Sequence, residues 1–214
     1  MGGGLVAIRW RRVDVAGWDV CRLCLREDGP ELLGHAVFRN GAGDARLTYE
    51  LRCDPAWRTR SGRVRGHVGS RSVDMTIARS DRGRWTLDGR PVPDVEELLH
   101  LDLGFTPATN LPQLRALWIS DGQAADLPVA WLDVPPCELV LLPQRYERRG
   151  PASYWYDAPA FGYSALLVLA PSGFVRRYPG LWEQVGWTER ASRLRAAPPA
   201  RPGAQRGGAA AGRG

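Results

Sequence analysis

Alternation constrains this chain more than any other feature. Leu47, Tyr49, Leu51 and Cys53 interleave with Thr48, Glu50 and Arg52, and Val73, Met75 and Ile77 interleave with Asp74, Thr76 and Ala78. Successive side chains of a β-strand point to opposite faces, so a period of two puts one face in a core and the other in water. Candidate strands continue at 5–12, 19–27, 31–39, 58–69, 128–133, 137–147 and 152–158. Trp85 and Leu87 run into Asp88-Gly89, a strong hairpin signal, and a second hairpin joins Ser164–Ala170 to Phe174–Tyr178 through Pro171-Ser172-Gly173. Strands at roughly ten-residue spacing with short turns predict an antiparallel meander. A dozen or so strands are too many for a flat sheet. The expected fold is therefore mainly β: a strongly curled antiparallel sheet, from β-roll or half-barrel to barrel, with a few short helices. Helical turns are expected in Pro93–His100, Leu114–Ile119 and Leu181–Val185.

One segment fits neither period. Asp102 to Trp118 reads DLGFTPATNLPQLRALW, with two prolines, two threonines and an asparagine among apolar residues. Pro107 pushes Thr106 toward extended geometry. Asn110 suits the cap of a short helix over Gln113–Trp118. Short polar side chains can satisfy the backbone groups of a buried loop. The segment is expected to be a polar plug that organises one end of the sheet. A second reading has Asn110 and Asp102 hydrogen-bond a polar head group.

Composition separates body from tail. Of the net charge of +6, +5 falls in residues 186–214, where Arg190, Arg193, Arg195, Arg201, Arg206 and Arg213 face one acid, Glu189. From residue 191 the text is Arg, Ala, Gly and Pro with too little apolar surface to order itself. This predicts one β-rich domain over 1–190 and a disordered tail over 191–214. The body lacks the basic face of a nucleic-acid binder. No apolar run approaches the ~20 residues of a membrane span, and the N-terminus lacks the apolar run of a signal peptide. These features suggest a cytoplasmic protein. Cys21 and Cys24 form the sole CxxC, but positions three apart on a strand point to opposite faces. No metal and no cofactor are expected.

Four pieces carry a resemblance: LTYELRCDPAWRTR at 47–60, HLDLGFTPATN at 100–110, LPQRYER at 142–148 and GFVRRYPGLW at 173–182. In content, order and spacing they resemble the putative glycolipid-binding family of bacteria, formerly a domain of unknown function, over roughly residues 5–185. The resemblance implies a fold like the half-barrel carriers of lipoprotein acyl chains, and a lipid- or glycolipid-like ligand. The family typically follows TPATN with a Leu-Pro-Ile-Arg-Arg-Leu run. Here Leu111-Pro112-Gln113-Leu114-Arg115 leaves Arg115 alone of the arginine pair.

The candidate ligand-binding residues are Asp102, Thr106, Thr109, Asn110, Arg115, Arg145, Tyr146, Tyr178 and Trp182. Arg145 offers a planar guanidinium to a phosphate or carboxylate. The nine tryptophans suit a core, or an apolar pocket whose indole N–H groups meet a polar head. Three functions follow. The first is a binding module for an amphipathic small molecule. The second is an enzyme with Asp102, His100 or Glu50 as acid or base, although no nucleophile motif accompanies them. The third is an interaction domain tethered to nucleic acid or an anionic membrane by its basic tail.

Overall fold

The computed structural model describes residues 5–186. The predicted tail at 191–214 lies outside the described residues. The first half of the chain is a meander of β1 (Leu5–Arg12), β2 (Gly17–Arg26), β3 (Gly29–Asn40), β4 (Gly43–Cys53), β5 (Thr59–Val68) and β6 (Arg71–Arg79). It ends in the hairpin β7 (Trp85–Leu87) and β8 (Arg90–Pro91). A covering segment follows: a 3-10 turn at Pro93–Val95, β9 (Leu101–Leu103), α1 (Asn110–Ala116), β10 (Ala124–Asp126), β11 (Val129–Leu132) and β12 (Leu139–Leu142). The chain then returns through β13 (Arg145–Gly150), β14 (Ser153–Ala158), β15 (Tyr163–Leu169), β16 (Val175–Tyr178) and β17 (Trp182–Gln184).

The protein is mainly β, with one large antiparallel sheet of 14 strands in the order β10-β13-β14-β15-β16-β17-β1-β2-β3-β4-β5-β6-β7-β8. Three further strands, β12-β11-β9, form a small second sheet in which β9 and β11 run parallel. The large sheet is open, which corrects the barrel end of the expectation, and it does not show the strong curl expected with closure. Closure needs the outermost strands to pair. Here they are the two-residue β8, whose Pro91 has no N–H to donate, and the three-residue β10.

The alternation reads out as expected in β4, where Ala45, Leu47, Tyr49, Leu51 and Cys53 are buried and the residues between them exposed. Both hairpins form. Asp88 and Gly89 take φ of 51° and 77°, the left-handed pair that a tight two-residue turn requires. Ala170 accepts from Gly173 N–H at 2.8 Å in the second. Three local readings are corrected. Residues 181–185 hold a strand, not a helix: Trp182 pairs with Arg12 and Gln184 with Trp10, so ladder pairing prevails over the local signal. The stretch 137–147 is two strands in different sheets, broken where Pro143 cannot donate to a ladder. The helix begins earlier than Gln113, with Thr109 at the cap position and Asn110 as its first residue.

The plug exists. From Leu101 to Leu114 every residue except Gly104 is buried against the large sheet. Phe105 stacks on Phe38 at 6.3 Å and meets Tyr49 edge-on at 5.9 Å. Leu101 Cδ2 occupies the space that a Cβ on Gly62 of β5 would need, 2.5 Å away. Thr59 Oγ1 accepts from Leu101 N–H at 2.9 Å, which ties β9 to the end of β5. Among the described residues no helix is long and apolar enough to cross a membrane.

Candidate functional site

The small sheet sets the floor of a cavity. Its parallel register places Trp131 opposite Asp102 and Leu132 opposite Leu103. Alternation then puts Asp102 and Trp131 on one face, with Gly104 and Asp133 two residues further along each chain. Gly104 is where the two chains close up: a Cβ there would stand 2.8 Å from Trp131 Cζ2 and 3.0 Å from Asp133 Cγ. These four residues line a cavity of about 340 Å³. Thr106, Pro107 and Asn110 supply a second wall from the entrance to α1. Tyr156, Phe161 and Tyr163 supply a third, and Tyr178, Leu181 and Trp182 a fourth. Trp131 and the exposed Phe161 tilt against each other at 5.0 Å. The tyrosines form a chain of ring contacts, Tyr156 to Tyr178 at 5.7 Å and Tyr178 to Tyr163 at 5.4 Å.

Two buried networks hold the floor in place. In the first, Tyr49 of β4 lies across Gly34 of β3 to reach Asp19 of β2. Its hydroxyl is 3.0 Å from Asp19 Oδ2 and 3.1 Å from Thr106 Oγ1. Thr106 Oγ1 also donates to Asp19 Oδ2 and accepts from Ala108 N–H at 3.0 Å. Asp19 is fully buried, and burial pushes its carboxyl up to about 7, against the hydrogen bonds from Thr106 and Tyr49.

In the second network Thr109 Oγ1 donates to Asp102 Oδ1 at 2.6 Å and accepts from Leu103 N–H at 3.1 Å. Asn110 Nδ2 donates to the Tyr146 hydroxyl at 2.9 Å, and that hydroxyl donates to Gln113 Oε1 at 2.9 Å. Gln144 Nε2 donates to the same Gln113 oxygen at 2.6 Å, and the Tyr156 hydroxyl to Gln144 Oε1 at 2.9 Å. The helix is thereby pinned to β13 and β14. Burial pushes Asp102 up to about 6; Thr109 and the Gln113 amide hold it down, while Asp133 pushes it further up. Burial also raises Asp133 above the usual carboxylate range.

The structure brings Asp102, Thr106, Asn110, Tyr178 and Trp182 together on the cavity wall, with Thr109 and Tyr146 directly behind it. It leaves out both arginines. Arg115 donates to Ser172 O at 2.7 Å and lies 5.7 Å from the Trp57 ring. Arg145 is exposed on β13, paired with Asp126 at 2.9 Å. Asn110 is not a cap, since its amide is committed to Tyr146. Glu50 is exposed on the opposite face of β4 from Tyr49. His100 is buried outside the cavity lining, with neither ring nitrogen in a hydrogen bond of good geometry, and burial pushes its pKa down to about 4. Among the described residues no cluster of three or more His, Cys, Asp or Glu could hold a metal ion.

Asp19 and Asp133 escaped sequence reasoning. Asp19 shares parity with Cys21 and Leu23 on β2, opposite Arg22, and that parity is the signal for an inward carboxylate. Asp133 becomes visible only through the parallel register of β9 and β11.

Comparison with known proteins agrees with this architecture. No curated protein matches the chain. A crystal structure of a DUF1089 family protein from Pseudomonas aeruginosa superposes with a TM-score of 0.72 at 25% identity, covering 81% of this chain and 95% of that one. A family described as putative glycolipid-binding matches residues 7–184. With residues 7–184 matched by the family and 81% of its length superposed on a solved structure, the chain belongs to the putative glycolipid-binding family.

Proposed function

We propose that this protein is a binding module for a small amphipathic molecule, held in the cavity between the small sheet and the aromatic side chains of β14 to β17. One observation carries the reading. One cavity joins polar side chains (Asp102, Thr106, Asn110, Asp133) to aromatic and aliphatic ones (Trp131, Tyr163, Tyr178, Leu181, Trp182). Its volume of about 340 Å³ lies at the small end of the roughly 300–1,000 Å³ range of ligand pockets, which suits a short chain with one head group. The family name supports a small-molecule ligand. Four free cysteines support a reducing compartment such as the cytoplasm.

The test is calorimetry with eight-carbon amphiphiles below their aggregation concentrations: octyl glucoside, octyltrimethylammonium and octanoate. At least one binds with 1:1 stoichiometry. The Gly104→Val variant, whose side chain displaces Trp131 and Asp133, loses that binding while keeping its circular dichroism spectrum. If no probe binds, or if Gly104→Val binds as well as the parent, the reading fails.

A further inference from the structure

The cavity's formal charges are of one sign. Its lining contains Asp102 and Asp133 and no arginine or histidine. Asp102 is 7% exposed, and among the described residues neither carboxylate stands within ion-pair distance of a basic side chain. Both arginines suited by sequence to an anionic head, Arg115 and Arg145, are engaged elsewhere. Arg12 acts on Asp133 from beyond ion-pair distance, and its charge lowers the proton affinity of that carboxyl. Its guanidinium is held by Asp14 at 3.0 and 2.5 Å, 5.0 Å from the Trp182 ring. A buried carboxylate without a counter-ion is costly, and in most proteins an arginine, lysine or metal offsets that cost.

The walls carry the complementary feature. Trp131, Phe161, Tyr163, Tyr178 and Trp182 present aromatic surface to the same space. The face of such a ring carries partial negative charge, so rings above two carboxylates form a cage for an organic cation. A neutral sugar head would find hydrogen-bond acceptors here but would leave both charges uncompensated. An anionic head would be repelled.

Resting on the amphiphile-binding reading above, we propose that the ligand head is cationic: an alkylamine or quaternary ammonium group seated between Asp102 and Asp133 and caged by Trp131, Tyr163 and Tyr178. The cation acts as the absent counter-ion, and its methyl or methylene groups lie against the rings. Selectivity against anionic amphiphiles follows from the same two carboxylates.

The experiment ranks the three eight-carbon probes at pH 8 in 0.15 M salt, where surface attraction is screened and buried pairs are much less so. Octyltrimethylammonium is expected to bind about tenfold more tightly than octyl glucoside, with octanoate weakest. Asp133→Asn, at a half-buried position, lowers affinity for the cation about fivefold and leaves octyl glucoside within about twofold. Asp102→Asn is the second variant, checked first for folding. Equal or tighter binding of octyl glucoside or octanoate overturns the charge inference and leaves the amphiphile reading standing. So does an Asp133→Asn variant that weakens both probes alike. Binding of no probe removes both.

Discussion

Gly34→Ala tests how the plug is fastened to the sheet. Gly34 sits on β3 between Cys21 on β2 and Tyr49 on β4, while Asp19 pairs with Ala36 two positions along, and Tyr49 reaches Asp19 by lying across the glycine. A Cβ at position 34 would fall 2.0 Å from Tyr49 Cζ and 2.2 Å from its hydroxyl oxygen. Ordinary contact begins near 3.4 Å, so the ring has to retreat by about 1.4 Å. That movement breaks the 3.0 Å bond to Asp19 and the 3.1 Å bond to Thr106 together. Steric overpacking costs ~1–3 kcal/mol. A lost hydrogen bond to a buried charged or polar group costs ~1–3 kcal/mol more. The expected destabilisation is therefore about 4 kcal/mol by urea unfolding, large for an alanine at a site without left-handed backbone. The double variant Gly34→Ala, Tyr49→Leu separates the mechanism. If the ring is the obstacle, adding Gly34→Ala to a chain that already lacks it costs less than about 1 kcal/mol. A Gly34→Ala variant destabilised by under ~1 kcal/mol on its own, or fully additive with Tyr49→Leu, refutes the fastening.

Asp19 gives a pH signature. Its folded pKa is about 7 against an ordinary value of 3.8, so between those values the folded chain binds the extra proton and the unfolded chain does not. Stability from this group is fully present below pH ~4 and is lost as pH rises toward 7, with a slope of at most ~1.4 kcal/mol per pH unit. Asp19→Asn should flatten the melting temperature across that window; an unchanged slope contradicts the assignment. Thr109→Val removes the donor to Asp102 and the acceptor for Leu103 N–H. It should cost ~2 kcal/mol by chemical denaturation, and an effect under ~0.5 kcal/mol would show that water replaces the threonine. Arg145→Ala breaks an exposed pair with Asp126 and should change stability by less than ~0.5 kcal/mol. Arg115→Ala leaves Ser172 O without its donor and Trp57 without its cation, and should cost ~1–2 kcal/mol. Neither arginine variant should alter probe binding in calorimetry.

The parts of the fold legible in the sequence are those written in local periodicity. Tyr49 and its neighbours on β4 declare their face, and Asp88-Gly89 declares its turn. The plug was legible too, because TPATN has no local reason to be polar unless tertiary contacts satisfy it. Most of the candidate site came with it: Asp102, Thr106 and Asn110 line the same cavity. Partnership across the chain was not legible. Nothing near Trp182 says that its ladder partner is Arg12. Nothing near Asp133 says that a parallel register brings it beside Asp102. Arg115 and Arg145 were misplaced for the same reason: a guanidinium's chemistry is local, whereas the carbonyl or carboxylate that takes it up is chosen by topology.

The seam between β1 and β17 has a kinetic consequence. Among the described residues the two parts of the large sheet meet through the pairs Trp10 with Gln184, Arg11 with Glu183 and Arg12 with Trp182, flanked by hydrogen bonds from Val185 N–H to Arg9 O and from Val13 N–H to Leu181 O. The Trp10 indole donates to Val175 O at 2.6 Å behind them. These partners lie more than 160 residues apart in sequence. On a ribosome the strands β1 to β6 emerge early and can pair with one another, but the outer edge of β1 must wait for β17. The newly made meander therefore carries an unoccupied edge at β1 throughout most of synthesis, and closing this loop of more than 160 residues is expected to be a late folding event.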